Sequence, residues 1–198
     1  MINASRLRSG LVMAIVATLL GACASSGPAT SYFALTPSPN ASNSSDASLP
    51  SIGVGPVNIP AYLDTTSIVS RSDSQRLNIA GYHAWAEPLD ESLTRVLAAN
   101  LASDLGQPLV WSFPWDMRNR PEWQLKLDVS QFEGARGGDV SLTAQWALFE
   151  LETGALLSSG RERVSVNSGD RSYDSYVAGL NTLLEKLSEK LAVGLVAI

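Results

Sequence analysis

The chain has 198 residues, 45% of them hydrophobic and 17% charged, a balance that fits one globular domain with tails and argues against a wholly disordered protein. One Cys and one His leave no room for an intramolecular disulfide framework, a cysteine-based zinc site or a multi-His metal cluster, so no metal and no cofactor are expected. Fourteen Lys and Arg against 19 Asp and Glu give a net charge of −5, and with no basic run along the sequence such a field repels nucleic acid.

The first 22 residues read as an export signal. Arg6 and Arg8 form a positive region, Leu11 to Leu20 (LVMAIVATLL) an apolar one, and Gly21 and Ala22 a small-residue cleavage region. Ten residues are too few to span a hydrocarbon core, which needs roughly 20. Leu20-Gly21-Ala22-Cys23 resembles the bacterial lipobox, in which the Cys is lipidated and becomes the first mature residue; Cys23 is the only thiol in the chain. Several acyl chains, each gaining about 0.8 kcal/mol per buried CH₂, hold a protein on a membrane stably where one would not. Ala24 follows the Cys, whereas Asp there typifies lipoproteins kept at the inner membrane, so the periplasmic face of the outer membrane is the expected destination. Cleavage removes two of the fourteen basic groups and none of the 19 acidic ones, leaving 12 against 19 and a net of −7.

Residues 23–30 form a polar tether, and Ser31 to Leu35 reads as a short strand docking on the domain. Thr36 to Pro50, with five Ser and three Pro, reads as a flexible loop. Ser51 to Val57 alternates as a strand, and Pro60 marks a bend after it. Ser67 to Arg71 and Arg76 to Ala80 flank Ser72-Asp73-Ser74-Gln75 as a hairpin. A helix follows, with Pro88 at its first position, Asp90 and Glu91 at its positive end and Leu89, Leu93, Val96, Leu97, Leu101 and Leu105 on one face; Gly106 and Pro108 stop it. From Trp123 the period becomes two, and turns at 134–139 and 152–154 fold three strands into a meander. Tyr173, Tyr176, Val177, Leu180, Leu183, Leu184, Leu187 and Leu191 then stripe a final amphipathic helix, and Leu195 to Ile198 is a candidate partner-binding tail. The expected fold is α+β: residues 31–198 form one domain, a mostly antiparallel sheet with a three-strand meander, packed by two amphipathic helices.

No catalytic constellation stands out. His83 would have to carry any Ser-His-Asp triad, yet no Gly-x-Ser-x-Gly elbow accompanies it, and a structural or surface role is expected. Asp90 and Glu91 are explained by the helix start. The Gly53-Val54-Gly55 segment is a weak phosphate-loop signal, since no helix opens after it. Aromatics are more informative. Trp123 and Trp146 fall on apolar strand faces, whereas Trp111, Phe113 and Trp115 lie in an irregular segment and either line an apolar groove or interface or cap the core. Trp85, in the loop before Pro88, is either folded under the helix or presented to a partner.

Tyr32-Phe33-Ala34-Leu35, Val54-Gly55-Pro56-Val57 with Ile59-Pro60-Ala61-Tyr62-Leu63-Asp64, and Trp85-Ala86-Glu87-Pro88-Leu89 occur here in order behind a lipobox. In this the chain resembles the ABC-type transport auxiliary lipoproteins, the paraquat-inducible protein C family, over nearly the whole mature length. It departs from that pattern at Ala84, where the family often has a basic residue before the Trp. The resemblance implies an outer-membrane lipoprotein in a lipid-trafficking system, partnered by a periplasmic mammalian-cell-entry-type protein with an inner-membrane permease and ATPase. Three functions are weighed: a docking component without enzymatic activity, a module that itself carries a lipid or hydrophobic solute, and an exported hydrolase. The sequence leaves self-association open.

Overall fold

A computed structural model describes residues 28–39, 49–106 and 109–198. The expected signal peptide, the expected lipobox at Leu20, Gly21 and Ala22 with its lipidation residue Cys23, most of the expected tether, residues 40–48 and Pro108 lie outside the described residues. Ser31–Ile198 forms one compact unit. In chain order its elements are β1 (Ser31–Phe33), β2 (Ile52–Asn58), β3 (Ser67–Arg71), β4 (Leu77–Trp85), α1 (Leu89–Asp104), β5 (Val110–Ser112), a 3₁₀ turn (Met117–Asn119), β6 (Trp123–Gly134), β7 (Asp139–Glu150), β8 (Leu156–Asn167) and α2 (Tyr173–Val196).

Alternating apolar residues build the large sheet. β6, β7 and β8 pair antiparallel in sequence order, the meander that the turns at 134–139 and 152–154 announce. The remainder corrects the expectation of a mostly antiparallel sheet. β2 lies between β5 and β6 and runs parallel to both, giving the order β5-β2-β6-β7-β8. In the small sheet, ordered β1-β4-β3, the β3–β4 hairpin is antiparallel but β1 is parallel to β4. Both sheets are therefore mixed. The physical reason is the crossover: α1 lies between β4 and β5, so the chain returns beside β2 in the same direction and lays a helix on the sheet. β2 is accordingly buried on both faces over its first four residues, as parallel strands are.

Both helices pack on one face of the large sheet, α1 over β2 and β5, α2 over β7 and β8, with the helices touching each other. All six apolar residues expected on the α1 face are buried, each gaining about 1.5 to 3 kcal/mol from transfer out of water. Pro88 is the N-cap rather than the first helical residue, and Gly106, at φ 59°, follows the C-terminus in the left-handed conformation. Ser172 caps α2, its hydroxyl accepting from the Ser175 amide at 3.1 Å. Leu195 is 1% exposed, so the expected apolar tail is core at its first residue, leaving Val196 and Ile198 exposed.

Three further details revise the sequence reading. Val110–Ser112 is a strand rather than an irregular segment. The start of the Ser/Pro-rich segment is docked: Thr36 and Asn181 exchange two hydrogen bonds of 3.1 Å, the Ser38 amide donates to Asn100 Oδ1 at 2.8 Å, and Ser38 Oγ donates to Glu185 at 2.7 Å. A register shift between Val129 and Gln131 sets Phe132 opposite Leu142, on the helix-covered face, and Glu133 opposite Ser141 on the other. Tyr176 joins the two sheets. Fully buried on α2, its hydroxyl donates to the Val69 carbonyl of β3 at 2.8 Å and accepts from the Gly134 amide of β6 at 3.3 Å, and burial pushes its ionisation up.

Candidate functional site

Three carboxylates gather where β4 gives way to α1. Glu87 precedes the Pro88 cap, while Asp90 and Glu91 sit in the first turn, where the helix dipole favours negative charge. Glu87 Oε1 accepts from Ser92 Oγ at 2.9 Å and from Arg95 Nη2, and the same guanidinium nitrogen donates to the Leu35 carbonyl at 3.2 Å. The Arg95 hydrogen bond holds the Glu87 carboxyl below its usual range, with burial opposing.

Facing the helix start, β2 and β5 run into the cis bonds Gly55-Pro56 and Phe113-Pro114. Gly55 has φ 111°, and a Cβ there would lie 2.9 Å from both Phe113 Cβ and Thr94 Cγ2. Two strands and a helix thus converge on a position that only glycine fits. They leave a cleft of about 590 Å³, lined by Pro56, Val57, Glu87, Asp90, Glu91 and Phe113 among others. Phe113 is 44% exposed and meets Trp115 edge to face, with ring centroids 5.3 Å apart and planes at 87°. Trp115 in turn lies over Gly53, where a Cβ would come within 2.6 Å of the indole. Phe113 is therefore braced by an indole that has room only because β2 carries no side chain at Gly53.

Of the four aromatics singled out from sequence, the fold brings three together. Trp111, half-buried on β5 beside Gly53, shares with Trp115 a shallower hollow of about 440 Å³ next to the cleft. Trp85 is not part of this group. It ends β4 rather than lying in a loop, is 6% exposed, and belongs to the core, with its amide donating to the Thr66 carbonyl at 2.7 Å. His83 stacks on Tyr173 at 3.8 Å, and Arg136 lies 4.3 Å over the other aromatic of that pair. Glu87 and Arg95 do not stand out in the sequence as site residues, and Asp90 and Glu91 show there only a helix-capping part. The signal available was the density of charge from Glu87 to Arg95, but only the β2 and β5 ends opposite turn that helix start into a cleft.

Chemically, the cleft offers an apolar ring beside three carboxylates, of which Glu87 alone is ion-paired among the described residues. That suits a protein segment with apolar and basic groups. Fold and cleft together define an α+β domain with its helices on one sheet face and its recognition chemistry at the ends of two parallel strands. The chain belongs to the family of ABC-type transport auxiliary lipoprotein components, whose model matches residues 33–192. It is 32% identical over 92 residues to the intermembrane transport lipoprotein PqiC of Escherichia coli (strain K12), and equally to PqiC of Shigella flexneri. That match covers 46% of this chain and 48% of each relative, about half their length. A solved structure of an uncharacterized protein superposes with a TM-score of 0.69 at 25% identity, covering 84% of this chain and 99% of that one. A Xanthomonas campestris protein shares the fold with a TM-score of 0.64 at 17% identity, covering 82% and 93%. Among the described residues no helix is long and apolar enough to cross a membrane.

Proposed function

We propose that this chain is the auxiliary lipoprotein of an ABC-type lipid transport system, held by acylated Cys23 on the periplasmic face of the outer membrane. There it docks a periplasmic mammalian-cell-entry-type protein served by an inner-membrane permease and ATPase. Family membership supports the transport role. The lipobox followed by Ala24 supports the anchor and its destination. The observation that carries docking is Phe113, a large ring 44% exposed at an acidic cleft and braced by Trp115. Exposed, rigid aromatics of this kind are the usual energetic centres of interfaces.

The lipid-carrier alternative fits the cleft less well, because an acyl chain laid against Glu87, Asp90 and Glu91 would strip water from charges it cannot pair. The domain acts by binding, without turnover; an ester, peptide or glycan hydrolysis that disappeared in His83→Ala would contradict this. Docking is tested by crosslinking tagged full-length chain in intact cells and quantifying the captured mammalian-cell-entry-type protein. Phe113→Ala lowers capture by about 2 kcal/mol, roughly thirtyfold, while the unfolding temperature stays near wild type because the ring is exposed. Equal capture by both proteins would overturn the docking surface, and fractionation of the wild-type chain with inner membrane would overturn the sorting.

A further inference from the structure

The face of the large sheet that carries no helix holds a separate concavity, of about 780 Å³. Strand register builds it. β7 pairs Thr143 with Gln131 on one side and with Arg163 on the other, and in the next row Gln145 pairs with Arg161. Residues two apart on a strand share a face at a spacing of about 6.6 Å, so Arg161 and Arg163 project side by side from one surface. Glu162, between them, is directed to the other side and bridges Lys190 of α2 at 2.8 Å. Neither the Arg161 nor the Arg163 guanidinium has an ion-pair or hydrogen-bond partner among the described residues.

The two acidic residues of β6 on this face are already engaged. Glu133, 0% exposed, accepts from Arg71 Nε and Nη2 at 3.0 and 2.7 Å, from the Tyr62 hydroxyl at 2.9 Å and from the Phe132 amide at 3.1 Å. Those four donors saturate its oxygens, and Arg71 cancels its charge. Asp128, opposite Gln145 on the side away from Arg161, is held by Asn58 Nδ2 at 2.7 Å. Two uncompensated guanidiniums therefore line a polar hollow on a chain whose net charge is −5. The sequence shows no basic run because the two arginines alternate with Glu162 and become neighbours only through the pleat.

We propose that this hollow is an oxyanion site that takes a phosphate-type group between the Arg161 and Arg163 guanidiniums, with the Thr143 hydroxyl and Gln131 amide as neutral donors. Guanidinium planes match phosphate oxygens bidentately, which a lone ammonium cannot do. An inorganic phosphate ion and a phospholipid headgroup share this chemistry. The site does not rest on the docking surface, which lies at the β2 and β5 ends and uses none of these residues.

The test titrates full-length chain in neutral detergent with inorganic phosphate and, separately, with glycerophosphoglycerol, a headgroup diester without acyl chains. Ionic strength is matched with chloride, and the arginine Nε–H and backbone amide signals are followed by NMR. Saturable shifts with either probe at the Arg161 and Arg163 side chains and at the Gln131 and Thr143 backbone amides, the amide titrations weakened about tenfold or more in Arg161→Gln/Arg163→Gln, support the site. Tighter binding of the diester identifies a headgroup, and tighter binding of the free ion identifies phosphate. The single variants keep the test open if the double variant unfolds. No saturable shift with either probe, binding undiminished in folded variants, or equal shifts at Arg118, which pairs with Asp116 elsewhere on the surface, overturns it.

Discussion

Trp85 separates a structural aromatic from a docking one. Its side chain is 6% exposed at the end of β4, where the strand pairs with β1 at Phe33 before the chain turns through Glu87 into α1. Trp85→Ala removes a buried indole while leaving the strand hydrogen bonds in place. The lost transfer energy and the cavity left behind cost about 3 to 5 kcal/mol. For a chain of this size each kcal/mol moves the unfolding midpoint by about 2 to 4 °C, so a fall of roughly 6 to 20 °C is expected. Thermal unfolding followed by far-UV circular dichroism measures it, with partner capture measured on the same preparation. Any loss of capture should then track the folded fraction. A midpoint unchanged from wild type, together with lost capture, would show that the indole is an interface anchor and that the core assignment at the β4 end is wrong.

Cys23→Ser abolishes incorporation of labelled fatty acid, because the chain has no other thiol, and releases a folded domain to the soluble fraction; label retained in the variant would refute the anchor. Leu97→Ala, in the middle of the buried α1 face, lowers stability by about 2 to 5 kcal/mol in a denaturant titration, and an unchanged midpoint would mean that this face is not core. Tyr62 makes an alkaline prediction. Burial, then its hydrogen bond and proximity to Glu133, push the phenol up to about 12, so the native state holds this proton more tightly than the unfolded chain does. Its stabilising contribution is full below pH of about 10 and is lost as pH rises from about 10 to about 12. The stability advantage of wild type over Tyr62→Phe should therefore shrink across that window in urea titrations, and a constant difference would count against the buried Tyr62–Glu133 contact.

Sequence alone determined the features whose physics is local. The two helices are legible because an apolar stripe repeats within a few turns, and the expected export signal and lipobox rest likewise on short contiguous stretches. The β3–β4 hairpin and the β6-β7-β8 meander follow from alternation interrupted by turn residues a few positions long. Tertiary structure decided what distant segments do to one another. Nothing in Ser51 to Val57 announces that β5 and β6 will flank it in parallel, since alternation is the same for either direction of pairing. Trp85 and Phe113 look alike as aromatics shortly before a proline, yet one is buried at the end of β4 and the other stands at a cleft, because the residues that cover or brace them lie elsewhere in the chain. Glu133 shows the same limit: strict alternation from Trp123 would place it on the apolar face with Leu125, Leu127 and Val129, but a bulge turns it to the other face, where Arg71 of β3 and Tyr62 of the preceding bend cover it. Periodicity says which face a side chain takes, and only the packing of remote elements decides whether that face meets water, a core or a partner.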